Sequence, residues 1–218
     1  MTASDGVRIA VIHYSATGNV HRLAEALAAG AAEAGAEVRL RQVGELAPAE
    51  AIASNPRWAA HREATADLAE ATLDDLEWAD GFAFGTPTRF GLPAAQLKQF
   101  LDQTGGLWMR GLLADKVGTA FTSASTSHGG LEATILAINT VLYHWGSIVL
   151  PLGYTDETVN VTGNPYGTSW VSRKGSSPDD DAIATAHYQG RRLARVAAAV
   201  RTVRADLQPP GHESGARA

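Results

Sequence analysis

Residues 7–20 read VRIAVIHYSATGNV, and the change of character inside this stretch decides the fold. Val7, Ile9, Val11 and Ile12 form a short apolar run of the kind that fills a buried parallel strand. The run breaks at Ser15-Ala16-Thr17-Gly18-Asn19, before an alanine-rich helical pattern begins. At such a turn the first N–H groups of the helix lack intrahelical acceptors and point outward. The hydroxyls of Ser15 and Thr17 and the small Gly18 let an anion approach them closely, so the turn reads as a phosphate cradle. It holds no lysine, unlike the GxxxxGKS/T loop of nucleotide triphosphatases, and no GxGxxG for a dinucleotide; a single phosphomonoester fits it best. Ser, Thr and Asn are also ordinary N-cap residues, so the rest of the chain must decide.

Downstream, Val20, Leu23, Ala24, Leu27 and Ala31 share one face of a helix ending near Gly35, and residues 37–43 alternate as a strand near the sheet edge. Residues 44–80, punctuated by Pro48 and Asn55-Pro56, read as loop with short helices. A second buried strand spans 79–85. Pro87 and Gly91 then predict a turn over 86–91, with Pro93 opening a helix to about Leu101 and a loop over 103–112. A third buried strand, 116–122, ends in the hydroxyl-rich Ser123-Ala124-Ser125-Thr126-Ser127-His128-Gly129-Gly130. After it come a helix over 131–143, a strand over 147–153, an irregular insertion over 154–178, a last helix over 179–203 and a polar tail over 204–218. This alternation predicts one domain, an α/β doubly wound parallel sheet of five strands in the order 2-1-3-4-5, with helices on both faces. Three loops, after strands one, three and four, then meet at the switch-point crevice.

At 218 residues and 45% hydrophobic content the chain can bury one sizeable core. A net charge of −5 without a basic run argues against nucleic acid as a partner, and no apolar stretch is long enough to span a membrane. Cysteine is absent, which excludes thiolate chemistry and cysteine metal sites; neither HExxH nor a carboxylate cluster occurs, so no metal is expected. The polar N-terminus leads straight into the first strand without a signal peptide, and a cytoplasmic protein is expected.

Tyr14-Ser15-x-Thr17-Gly18-Asn19 resembles a flavodoxin-type FMN phosphate loop. Residues 85–91 (GTPTRFG), 100–108 (FLDQTGGLW), 128–130 (HGG) and 165–167 (PYG) are similar to the WrbA family of flavodoxin-like NAD(P)H:quinone oxidoreductases, and the match runs from about Val7 to about Val200. The resemblance implies a flavodoxin-like fold with an added insertion, noncovalent FMN, NAD(P)H as reductant, a quinone as acceptor, and a homotetramer. It implies that residues 15–20, Ser15 to Val20 with Ala16 among them, hold the phosphate. Thr88, Arg89 and Phe90 would face the isoalloxazine, and residues 123–129 (Ser123, Ala124, Ser125, Thr126, Ser127, His128, Gly129) would wrap its polar edge. His144 would reach the flavin from a neighbouring subunit, and Trp108 and Thr17 would border the substrate. Thr17, Leu92 and Trp145 depart from the family pattern, where an aromatic, a polar residue and a second histidine are common; these departures bear on nicotinamide preference and substrate shape rather than on FMN binding.

In such a site the cofactor carries the electrons and the protein positions and tunes it. Arg89 suits negative charge on a reduced flavin, Trp108 and Phe90 can stack on rings, and His144 is the best candidate to donate a proton to a quinone oxygen. His13 reads as structural, and His128 is not assigned catalysis. Two other readings stay open on the residues alone: a flavodoxin-like electron carrier, and a flavin-free interaction module.

Overall fold

The structure, a computed structural model, describes residues 6–207. Strand β1 (Arg8–His13) leads into α1 (Asn19–Glu33), β2 (Glu37–Gln42), α2 (Ala49–Ala53), α3 (Pro56–Ala64) and α4 (Leu73–Trp78). Then β3 (Gly81–Arg89) folds back through β4 (Leu92–Pro93) into α5 (Ala95–Asp102) and α6 (Gly105–Met109). Last come β5 (Val117–Ala124), α7 (Leu131–Trp145), β6 (Ile148–Val149), α8 (Glu157–Thr162), β7 (Ser169–Val171) and α9 (Asp180–Leu207).

Five parallel strands lie in the order β2-β1-β3-β5-β6, the expected 2-1-3-4-5 path, and the sheet has seven strands rather than five because β7 pairs parallel with β5 and β4 antiparallel with β3. Alternation along β1 sends Ile9 and Val11 to one face and Ala10 and Ile12 to the other, and each face is covered. On one side Leu23 and Leu27 of α1 and Leu193 of α9 pack with Phe121; on the other Leu97, Ile138 and Leu142 surround Phe82 and Phe84. Helices α1 and α9 touch backbone to backbone. A Cβ on Gly30 would fall 1.9 Å from the His187 carbonyl oxygen, and one on Gly190 would fall 1.8 Å from that of Leu27.

Five local expectations are corrected. Strand β3 continues through Pro87, paired with Ser123, because an extended strand tolerates proline's fixed φ and loses only one donor. The reversal falls instead at Phe90 (φ 54°) and Gly91 (φ 80°), two left-handed residues in the manner of a type I′ turn, and Pro93 sits in the returning strand while the helix starts at Ala95. Residues 105–109, expected as loop, form α6. The strand expected over 147–153 is cut to Ile148–Val149, since Pro151 and Gly153 punctuate it. The same edge of β5 is then resumed by β7, which pairs Thr122, Ser123 and Ala124 with Ser169, Trp170 and Val171. Helix α9 runs past Val203 to Leu207, and the rest of the expected tail lies outside the described residues.

Candidate active site

The cradle is built from the end of β1. Gly18 is the N-cap of α1 and holds φ 95°, a left-handed conformation that favours glycine, and no side chain caps the helix there. The first helical bond runs from Arg22 N–H to the Gly18 carbonyl at 3.0 Å, so the N–H groups of Asn19, Val20 and His21 have no partner within the helix. Ser15 Oγ accepts from Gly18 N–H at 3.1 Å and fixes the loop.

Above this loop a crevice is lined by Ser15, Ala16, Thr17, Asn19 and Val20, by Pro87, Thr88 and Arg89, and by Ser123, Ala124, Ser125 and Ser172. The ends of β1, β3 and β5 therefore converge where the strand order reverses. Its volume of about 210 Å³ is below the roughly 300–1,000 Å³ of enclosed small-molecule pockets, so a flat ligand must lie partly over its open rim. Thr88 anchors that rim: its Oγ1 donates to the Gly129 carbonyl at 3.3 Å and accepts from Thr134 Oγ1 at 2.7 Å. Phe90 stands at the hairpin tip, fully exposed and in the left-handed region, a strained placement for an aromatic residue.

Other expected site residues lie apart from the crevice in a single chain. Thr126, Ser127 and His128 are exposed, and Ser127 borders a neighbouring cavity with Glu132, Asp179 and Asp181. Trp108 and His144 are brought together, since Trp108 Nε1 donates to the His144 carbonyl at 2.8 Å, but they sit at the far end of α7. At 1.5 Å per residue this helix carries His144 about 20 Å from the crevice loop at its start. Trp145 is a core residue, its ring edge-on to Phe82 and Phe84 at 5.7 and 5.9 Å between centroids, so it does not narrow the crevice of its own chain.

Several participants were missed by sequence reasoning. Ser172 joins the crevice through β7, its N–H and Oγ both donating to the Ala124 carbonyl, and only the irregular insertion before it gave a signal. Glu45 accepts hydrogen bonds from Tyr14 (2.9 Å), Trp58 (3.1 Å) and Gln96 (2.7 Å), tying the cradle to α3 and α5. Burial pushes its carboxyl up, but the Ala47 N–H, Gln96 and Tyr14 donors outweigh this and hold it below the usual range. Burial, then Glu45, push the Tyr14 hydroxyl upward, so it stays protonated. Behind the loop, His13 Nε2 and His21 Nδ1 meet at 3.0 Å, and His21 stacks near His61, whose Nδ1 faces Gly18. Burial, then the His21 charge, lower His13 to about 3 and His61 to about 4, so both are neutral near pH 7.

Comparison with known proteins follows the same lines. An NAD(P)H dehydrogenase (quinone) from Methylocella silvestris is 44% identical over 199 residues, covering 87% of this chain and 96% of that protein. One from Geotalea uraniireducens is 42% identical, covering 88% and 98%. Among solved structures, a WrbA-like flavodoxin from Agrobacterium tumefaciens superposes with a TM-score of 0.63 at 25% identity, over 89% of this chain and 99% of that one. The family model for NADPH-dependent FMN reductases matches residues 7–156, and with these relatives it establishes that the chain belongs to the NADPH-dependent FMN reductase family.

Proposed function

We propose that the chain is an FMN-dependent NAD(P)H:quinone oxidoreductase whose single crevice serves both half-reactions in turn. The observation that carries this reading is the uncapped start of α1 beneath Ser15 and Thr17, in a chain whose relatives are NAD(P)H dehydrogenases (quinone). The lining fits the cofactor: among the described residues it holds no carboxylate, offers three hydroxyl-bearing loops and has Arg89 as its only cation. Bound FMN supplies hydride acceptance from the nicotinamide and two-electron delivery to the quinone.

The residues divide that work. Residues 15–20 hold the phosphate through N–H groups and hydroxyls. Arg89, exposed at the end of β3, stabilises negative charge at the ring's polar edge, and the loop over 123–129 orients that edge. Phe90 offers its ring at the rim. Trp108 and His144 serve the crevice of a neighbouring subunit, where His144 donates the proton a quinone oxygen requires. An exposed apolar face supports this assignment. Phe90, Leu92, Leu136, Tyr143, Trp108 and Met109 lie on the β3–β4 hairpin, α7 and α6, and these elements are joined by Gly91 against Ala133 and by the Trp108–His144 bond. A homotetramer covers that face. The chain works as one domain, in the cytoplasm; no helix among the described residues is long and apolar enough to cross a membrane.

Anaerobic titration of the FMN-loaded protein tests this. NADH or NADPH bleaches the flavin band and a simple benzoquinone restores it; a bound flavin that neither nucleotide bleaches overturns the enzyme.

A further inference from the structure

The chain carries a net charge of −5, yet cations gather at one end of its crevice. Helix α3 packs beside the cradle loop. One turn of it places His61 against Gly18, and the preceding turn places Arg57 over the turn that follows β7, where a Cβ on Gly175 would fall 1.8 Å from Arg57 Nη1. That turn is tied to the crevice wall, since Ser172 lines the crevice and bonds Ala124, while Gly175 N–H donates to the Ser172 carbonyl at 2.8 Å. It presents Arg173 and Lys174, both exposed, and Lys174 holds φ 51°, an uncommon conformation for a residue with a side chain.

Some cations of this chain are held by carboxylates, Arg39 and Arg41 by Asp75, Arg110 by Glu77, Arg201 and Arg204 by Asp80, and others are not. Among the described residues, Arg57, Arg173 and Lys174 have no carboxylate within ion-pair distance. The neighbouring cavity beyond Ser127 is the reverse, with Glu132, Asp179 and Asp181 in its lining. A reductant whose nicotinamide covers the ring at the rim can lay its adenosine half toward either region. Phosphate charge is repelled by the acidic cavity and attracted to the unpaired cations.

We propose that Arg57, Arg173 and Lys174 form a second anion subsite beside the cradle, and that it takes the 2′-phosphate of NADPH. The proposal rests on the oxidoreductase reading above and adds to it the nucleotide preference: guanidinium groups are suited to a phosphomonoester, and NADH has nothing to place there.

The test is calorimetric titration of the FMN-loaded full chain with 2′,5′-ADP and with 5′-ADP. Wild type binds 2′,5′-ADP about tenfold more tightly or better. Arg57→Ala and Lys174→Ala each weaken 2′,5′-ADP binding about tenfold, leaving 5′-ADP and FMN affinities and the melting temperature unchanged; Arg195→Ala, on the exposed face of α9, changes none of these. Equal binding of the two nucleotides by wild type overturns the subsite. So does loss of FMN affinity in Arg57→Ala, which would give that cation to the flavin phosphate. A flavin that neither NADPH nor NADH bleaches would sink the oxidoreductase reading, and the titration would still decide the subsite by itself.

Discussion

Trp108 and His144 are joined by a 2.8 Å hydrogen bond from the indole N–H to the backbone carbonyl, which locks α6 against the last turn of α7. Both side chains are exposed there, beside Tyr143, and about a helix length from the crevice of their own chain. On the proposed assignment they complete a neighbouring subunit's crevice. Tyr143→Glu should therefore lower the mass measured by sedimentation equilibrium and reduce quinone turnover about tenfold or more while FMN stays bound. Full activity in a species of reduced mass would show that each crevice is complete alone.

The contact between α1 and α9 leaves no room at Gly190, whose missing Cβ would meet the Leu27 carbonyl. Alanine is intrinsically the better helix former by about 1 kcal/mol, but the overlap is with backbone and cannot be relieved by a rotamer change. Gly190→Ala should lose about 3 kcal/mol in urea unfolding. A neutral or stabilising result would mean that the helices can separate without cost.

His13 and His61 set an acid limit on stability. Their folded pKa values, about 3 and about 4, lie below the ordinary 6.5, so the unfolded chain takes up protons that the folded chain refuses. Their contribution is complete above about pH 6.5 and is lost as the pH falls toward those folded values. The urea midpoint should drop between about pH 7 and pH 5. His13→Gln, which keeps a donor for His21 but cannot titrate, should flatten that drop; an identical pH profile would remove His13 as its source.

Glu45 gathers three side-chain donors from three elements, and Tyr14 directly precedes the cradle. Glu45→Ala strands the Tyr14 hydroxyl and the Trp58 indole N–H, a loss of about 2 kcal/mol in stability. Because the loop is positioned through Tyr14, FMN affinity measured by fluorescence quenching should weaken about tenfold as well. Glu45→Gln, which retains acceptor capacity on one oxygen, should fall between the two. A destabilised variant with unaltered FMN affinity would separate the hub from the cradle.

The sheet order was legible because its signals are local. The apolar run of β1 breaks at Ser15 within a few residues, and the hydroxyls at the end of β5 likewise follow its apolar run directly. Pro87 reads as a strand stop although its fixed φ suits an extended strand, whereas Gly91 does sit in the reversal, beside Phe90, an aromatic residue where turn chemistry favours Asn or Gly. Ser172 and Glu45 could not be read at all: one meets Ala124 across 48 positions and the other meets Gln96 across 51, and no periodicity records such encounters. Trp108 and His144 were named through their likeness to a family, and a single chain sets them away from the crevice for the plain reason that α7 is long.

The divided edge strand also bears on how the crevice opens. β6 is held at the start of β5 and α9 is packed along α1, so most of the core is built without β7, which adds Trp170 at its margin. Detaching β7 withdraws Ser172 from the crevice wall and releases the turn beneath Arg57, at the expense of a few hydrogen bonds. Loss of the β7 pairing would therefore open the crevice wall at Ser172 while leaving the contact between α1 and α9 in place.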